Sequence, residues 1–447
     1  MTRVLLVSND RLGERMAGPA IRYYNLAREL SRRFDVTLMV PEAGGVEIEG
    51  VKILKAAGYG PRAFRRFAET FDTVIAQTLR PWTMWALARS RIQVVYDLYD
   101  PYLVENLGFF AEFQGSRAYQ EVEYKANALL QEIAVATGDS FVCASERQRD
   151  FWLGMLGALG RIDSDEYARD PSLRDLVDVV PFGLPAEAPE KRKGVLKGVL
   201  PGIGTDDHVL IWGGGIWNWF DPLTLIRAVA ELARSRDDVK LYFLGVRHPS
   251  PDTPEMAMTD QAVDLARELG VLDRAVFFNF GWVPYEERGD YLLEADLGVS
   301  AHFDNVETRY AFRTRILDYL WAGLPIVTSE GDVLADLVAD RNLGRAVGVG
   351  DVQGWVAAIE ELLDDRDGYE RTQGRVRELS AEFAWPAVVG PLERLAVRPG
   401  RPVRAGRNVA FMVLRYLALA TRSVALRKGV GGVVRHAFRA AFRPNVP

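Results

Sequence analysis

Three observations in this 447-residue sequence predict an α/β protein built from two doubly wound, Rossmann-like domains. Short β-branched runs alternate with long amphipathic stretches, the alternation occurs twice, and a segment rich in Pro, Gly and charge separates the two series. The first series fills residues 1–183, with "RVLLVS", a helical stretch from Ala20 to Arg33, then "DVTLMV", "DTVIA", "IQVVYD" and "DSFVCA". The second fills residues 203–397, with "HVLIWG", "VKLYFLG", "AVFFNFG", "ADLGVS" and "LPIVTS". Residues 184–202, "LPAEAPEKRKGVLKGVLPG", are expected to form an exposed linker. Open parallel sheets bind ligands outside the carboxyl ends of their strands, so two such units are expected to face each other across a cleft.

Composition removes several classes. With 48% hydrophobic and 26% charged residues the chain is an ordinary globular one, with no disordered or fibrous bias. One cysteine, Cys143, and four histidines exclude a disulfide scaffold or a structural zinc framework. Cys143 lies in an apolar run and is expected in the core, and the cytoplasm is the default compartment. The apolar run Val4 to Val7 is far short of a signal-peptide core. Val409 to Ala420, broken by Arg415, is shorter than the ~20 apolar residues of a membrane span. No P-loop and no well-placed G-x-G-x-x-G occurs, which argues against P-loop and nicotinamide chemistry. The acids Asp163 and Asp165 of "DSD" sit in a polar loop and are expected to be incidental.

The loops after the strands carry the candidate residues. "HVLIW" runs into "GGGIWNWFDP", whose Asp221 and Pro222 read as the N-cap and first turn of a helix. Gly213, Gly214 and Gly215 suit either a backbone approach to phosphate or a tight turn with positive φ. Trp212, Trp217 and Trp219 offer flat faces for sugars or bases, or plain core. After "ADLGVS", a polar loop leads to a helix expected from about Phe312 to Ala322, stopped by Gly323 and Pro325. Arg313 and Arg315 fall in its first turn, where the macrodipole disfavours cations unless an anion is bound; solvated surface arginines are the alternative. Asp318 lies mid-helix, where a ribose hydroxyl or a local cap bond would hold it.

The two wound halves, "GPAIRYYNLARELSRRFDVTLMVP" and "RILDYLWAGLPIVTS" resemble the GT-B glycosyltransferases of the large retaining family 4, over about residues 1–397. The resemblance implies a sugar nucleotide of UDP or GDP type, bound mostly by the second domain. It also implies transfer to a glycan or lipid-linked acceptor, retention of configuration, and no metal or other cofactor. An E-x7-E motif crosses this loop and helix in the family. Asp318 takes the place of its last acid, whereas Tyr310 stands where the first belongs and Glu307 lies three residues too early. The family's basic residues are missing from "GGGIWNWFDP", and Arg247, Arg313 and Arg315 are the replacements expected to grip the diphosphate. Gly18 matches the family's first-loop glycine, or is a simple helix start. Asp97 or Asp100 ends a strand in the first domain, Asp100 doubling as a helix-cap match. The expected donor set is Gly18, Gly214, Gly215, Trp217, Asn218, Arg247, Tyr310, Phe312, Arg313, Thr314, Arg315 and Asp318, with Asp100 and Glu307 as candidate catalytic residues. A two-lobed sugar-nucleotide epimerase and a catalytically idle, membrane-tethered scaffold are the alternatives.

The net charge of −6 divides unevenly. After Glu393 there are twelve Arg or Lys and no carboxylate, so +12 follows an acidic −18 body. Residues 398–447 read as a basic amphipathic helical tail, with Arg404, Arg415 and Arg422 on one face. Such helices bind anionic membrane surfaces, and packing on the acidic body is the alternative. No nucleic-acid motif accompanies the charge. The expected location is the cytoplasm, peripheral on the inner face of the cell membrane.

Overall fold

A computed structural model of the chain describes residues 1–14, 16–56, 58–105, 107, 116–246, 256–400 and 407–428. It has two compact units. The first takes the described residues of Met1–Gly13, Gly18–Pro181 and Val388–Pro447; the second takes those of Glu14–Ala17 and Phe182–Ala387.

In the first unit β1 (Arg3–Val7), β2 (Asp35–Val40), β3 (Val51–Lys55), β4 (Thr73–Ala76), β5 (Gln93–Asp97), β6 (Ser140–Cys143) and β7 (Val177–Val179) make one sheet in the order β3-β2-β1-β4-β5-β6-β7. Every pairing is parallel. Val4 to Val7 are wholly buried, as continuous apolar strands covered on both faces must be. The helices used below are α1 (Gly18–Ser31), α2 (Pro61–Ala68), α3 (Pro81–Leu87) and α4 (Arg117–Thr137). Strand order reverses between β1 and β4, so the connections leaving their carboxyl ends run to opposite faces of the sheet.

In the second unit β8 (His208–Trp212), β9 (Val239–Phe243), β10 (Val276–Phe278), β11 (Leu297–Ser300), β12 (Ile326–Ser329) and β13 (Gly344–Val347) follow the order β10-β9-β8-β11-β12-β13. Its switch point lies between β8 and β11. Four helices matter here: α5 (Pro222–Leu232), α6 (Val306–Tyr310), α7 (Thr314–Ala322) and α8 (Val333–Asp340). All ten strands expected from the sequence are present. The three others, β3, β7 and β13, all lie at sheet edges.

Three expectations change. Residues 184–202 are held by the second unit: buried Glu294 accepts the backbone N–H groups of Val195, Leu196 and Lys197, and buried Asp290 accepts those of Arg192 and Lys193. The helix expected from about Phe312 to Ala322 begins at Thr314 as α7, because Arg313 (φ −72°, ψ 84°) lies outside the helical region, and the polar loop before it holds the short helix α6. The tail, expected as an appendage, returns to the first unit. Within α9 (Gly390–Ala396), the Ala396 carbonyl accepts from Thr73 Oγ1 at 2.6 Å and Arg394 reaches Asp178 at 2.7 Å. Helix α10 (Arg407–Lys428) packs on α4 and α3, burying Val409 and Val413, with Ser423 donating to Glu123. By length and composition Asn408–Leu426 is long and apolar enough to cross a membrane, so the shorter stretch read from the sequence understates it; Arg415 and Arg422 interrupt an otherwise uncharged stretch.

Gly298 in β11 marks the tightest packing near the switch point. A Cβ there would lie 2.3 Å from Cγ of Tyr319, whose ring lies against the strand. Gly298→Ala is therefore expected to destabilise the fold by about 1–3 kcal/mol, read as a lowered urea midpoint with an unchanged slope.

Candidate functional site

The loop after β8 is shaped by its glycines and by a tyrosine from α7. Gly214 has φ +126° and open space beside its Cα. Gly213 N–H donates to Tyr319 Oη at 2.8 Å, and that hydroxyl shares its own proton between Ile211 O (3.0 Å) and Val299 O (2.8 Å). Tyr319 thus ties the ends of β8 and β11 to the loop. Downstream, Asp221 caps α5 as expected, accepting from Thr224 N (3.0 Å) and Thr224 Oγ1 (2.6 Å), with Pro222 in the first turn.

Two buried arginines enter from around the start of α7. Arg315, four residues before Tyr319 and on the same helix face, donates to Gly215 O at 2.9 Å. Its guanidinium lies over Phe220 and Trp212, 4.0 and 4.4 Å from the ring centroids. Among the described residues no carboxylate bonds it and its buried Nη1 has no partner; it is buried, not a solvated surface arginine. Burial lowers its pKa from 12.5 to about 10, helped by the like charge of Arg313. Arg313 forms a bidentate pair with Glu307, at 2.8 and 2.6 Å, both residues being buried. Glu307 supplies a counter-charge to this cation beside the helix N-terminus. Removing either member would leave a buried charge alone, a loss of about 3–5 kcal/mol.

Behind Arg313 sit Asp332 and His302, neither exposed. Asp332 Oδ1 caps α8 through Leu334 N (2.7 Å) and Ala335 N (2.8 Å), while Oδ2 lies 3.7 Å from His302 Nδ1. His302 Nε2 meets Glu330 O at 3.1 Å, which assigns the ring proton to Nε2. Burial pushes Asp332 up from 3.8 to about 6, against the pull of Arg313. Burial, aided by Arg313, pushes His302 down from 6.5 to about 3. Among the described residues no three His, Cys, Asp or Glu gather as metal ligands.

The remaining expected residues fall in different places. Trp217 and Trp219 stack with centroids 5.3 Å apart and planes 4° from parallel; Trp219 is buried and Trp217 half-buried. Asn218 Oδ1 accepts from Met258 N at 3.2 Å. Tyr310, Phe312 and Thr314 are half-buried around the break between α6 and α7. Asp318, for which a ribose hydroxyl or a local cap bond was expected, is bonded by Arg288 Nε at 3.1 Å, with the guanidinium over Tyr285 and Trp321. Arg247 lies outside the described residues. Gly18, the first residue of α1, and Asp100 belong to the first unit, where Asp100 lines a cavity of about 250 Å³. Asp97 is committed to buried Arg22 at 2.7 Å. The sequence reading missed His302, Asp332, Tyr319 and Arg288. An aspartate standing directly before the apolar pair Val333 and Leu334, as a helix cap does, was the available signal for Asp332.

Residues 207–365 match the family model described as "Glycosyl transferases group 1". D-inositol 3-phosphate glycosyltransferase of Nocardia farcinica is 28% identical over 214 residues, 47% of this chain and 45% of that protein. The chain thus spans about half the length of the curated relatives it matches. Among solved structures, sucrose-phosphate synthase from Thermosynechococcus elongatus aligns with TM-score 0.63 and 14% identity, over 88% of this chain and 98% of that one. Anabaena HepE in complex with UDP and glucose aligns with TM-score 0.61 and 13% identity, over 88% and 99%. These two likenesses are of fold. The chain resembles the GT-B glycosyltransferases of family 4, and its fold is of that two-unit type.

The Asp332 and His302 shifts oppose each other. The folded chain keeps a proton on Asp332 up to about pH 6, whereas the unfolded chain releases it near 3.8, so this contribution to stability is lost as pH rises. For His302 the unfolded chain takes a proton below 6.5 and the folded chain does not until about 3, so this contribution is lost as pH falls. Between about pH 4 and 6 the slopes cancel, each being about 1.4 kcal/mol per pH unit. Urea unfolding across that window should show stability rising with pH in Asp332→Asn and falling with pH in His302→Gln. Wild-type slopes in both variants would contradict the assignment.

Proposed function

We propose that this chain, with its GT-B fold and its likeness to family 4, is a glycosyltransferase that moves a sugar from a nucleotide-sugar donor to a cell-surface glycan or lipid-linked acceptor, with retention and without a metal. Arg315 carries the reading. A guanidinium buried without a carboxylate, and with one nitrogen unpartnered, is an incomplete ion pair that an anionic ligand completes. It bonds Gly215 O in the loop after β8, where Gly214 leaves open space. A diphosphate there meets a fixed cation and loop amides as negative charge develops on the leaving group. At neutral pH Arg315 still carries its proton, since about 10 is well above 7. The UDP held by Anabaena HepE supports UDP as the first nucleotide to test. Glu307, bound on both oxygens to Arg313, positions that arginine in this reading and leaves no free carboxylate.

The same reading places the chain on the cytoplasmic face of the membrane, held by the first unit. The outward side of α10 presents Phe411, Leu414 and Leu426 together with Arg415 and Arg422. Helix α3, against which α10 packs, shares a groove of about 750 Å³ with α2, lined by Arg62, Arg65, Arg66, Arg89, Trp82 and Trp85. Cations beside tryptophan and exposed aliphatic groups suit anionic lipid, each cation adding about 1 kcal/mol at the surface.

Titration calorimetry with UDP should detect binding. Arg315→Met should weaken it about tenfold or more while leaving the melting temperature unchanged or raised, because a buried uncompensated charge is removed. Full UDP affinity in that variant would exclude Arg315 from the donor site. In flotation assays the full chain should rise with phosphatidylglycerol vesicles, less so at high salt or as Phe411→Ser/Leu414→Ser, and absence of flotation would remove the membrane assignment.

A further inference from the structure

The outward faces of α2 and α3 carry chemistry that the donor site of the second unit does not use. Both helices bury one face in the first unit's core, through Phe64 and Ala68 of α2 and Met84 and Leu87 of α3. Away from the core, Arg62, Arg65 and Arg66 stand at i, i+3 and i+4 on one face of α2. Trp82 and Trp85 share a face of α3 in the same way, and Arg89, just past its end, extends it. The two helices pack on each other, and these faces line the groove of about 750 Å³. The two indoles meet edge to face with centroids 5.6 Å apart, both half-buried, and Arg89 lies over Trp85 at 5.0 Å. The groove therefore has an apolar floor and a cationic rim.

Arg65 donates to Glu69 at 2.8 Å. Among the described residues no carboxylate pairs with Arg62, Arg66 or Arg89, and none lines the groove. Acids are not scarce in this body: elsewhere on the surface Arg33 finds Glu393 at 2.8 Å and Arg366 finds Glu370 at 3.2 Å. An inorganic anion would answer the rim and leave the indoles in water. A hydrocarbon would cover the indoles and strip water from guanidiniums without supplying a counter-charge. A molecule that carries both parts satisfies both. Its size is bounded, since about 30 Å³ for each water-sized group gives room for roughly 25 such groups, the head and first chain segment of one amphiphile. Its charge is bounded as well. A phosphodiester headgroup brings one negative charge to these arginines, whereas a diphosphate brings two and offers oxygens to more than one guanidinium fork.

We infer that the groove between α2 and α3 binds one long-chain lipid diphosphate, with the diphosphate held by Arg62, Arg66 and Arg89 and the first carbons of the chain laid on Trp82 and Trp85. This is a discrete site for a single lipid, beyond contact with a bilayer surface. That such a lipid carries the acceptor rests on the glycosyltransferase reading; the site itself rests on the groove.

Calorimetry on the full chain tests it with farnesyl diphosphate, in excess UDP so that the donor site is filled, against inorganic diphosphate, farnesol and monomeric dihexanoyl phosphatidylglycerol. Farnesyl diphosphate should bind at one equivalent and about tenfold or more tighter than each of the others. Arg62→Gln/Arg66→Gln removes exposed side chains and should weaken that binding about tenfold with an unchanged melting temperature. Trp85→Leu should erase the advantage over inorganic diphosphate. The inference is overturned if farnesyl diphosphate does not bind, binds no better than inorganic diphosphate or farnesol, or keeps its affinity in the double arginine variant. Equal binding of dihexanoyl phosphatidylglycerol overturns it in favour of bulk membrane lipid. UDP titrated alone separates the two readings: UDP binding without farnesyl diphosphate binding sinks only the lipid site, and farnesyl diphosphate binding without UDP binding keeps the site and sinks the donor reading.

Discussion

The hydroxyl of Tyr319 is the point on which the second unit's site depends. At a switch point two neighbouring parallel strands send their connections to opposite sides, and their last carbonyls face a gap. Tyr319 fills that gap, answering Ile211 O and Val299 O and receiving the N–H of Gly213. The ring reaches this position only because residue 298 has no side chain. One turn earlier on the same helix face, Arg315 is carried to Gly215 O. The loop, the strand ends and the buried cation therefore share one helix as their support.

Charge in this unit is arranged at a cost in stability. Glu307 neutralises Arg313, and the neighbouring His302 and Asp332 are each driven towards their uncharged forms by burial. Arg315 is bonded by no carboxylate among the described residues, and its charge is softened by the faces of Trp212 and Phe220. A fold selected for stability alone has no use for that arrangement. A ligand that brings negative charge resolves it, which is why this residue rather than the paired Arg313 carries the functional reading.

The two switch points contrast. Between β8 and β11 the unspent group is a cation; between β1 and β4 the lining is carboxylate and amide, with the one buried guanidinium beneath already committed. The loops after β8 and β1 stand at equivalent places in their sheets and offer opposite chemistry.

Periodicity along the chain determined the α/β class, ten strands, the Asp221 cap and the loops in which ligand-binding groups lie, because each of these is a local property of a few adjacent residues. The edge strands β3, β7 and β13 escaped it: β3 is only half-buried, β7 has three residues, and β13 includes Gly344, whose Cα has no room for a side chain beside β12. Tertiary structure alone decided which charges are paired. Arg288 reaches Asp318 from 30 residues away, Tyr319 reaches Gly213 from 106, and Arg315 is covered by Trp212 at the end of β8 and by Phe220 in the loop after it. The tail followed the same rule: its basic composition was plain in the sequence, but only folding showed Val409 and Val413 placed in the first unit's core, leaving Phe411 and Leu414 outside. Composition reports how much charge and apolar surface a chain owns; which of it is spent inside depends on contacts between residues distant in sequence.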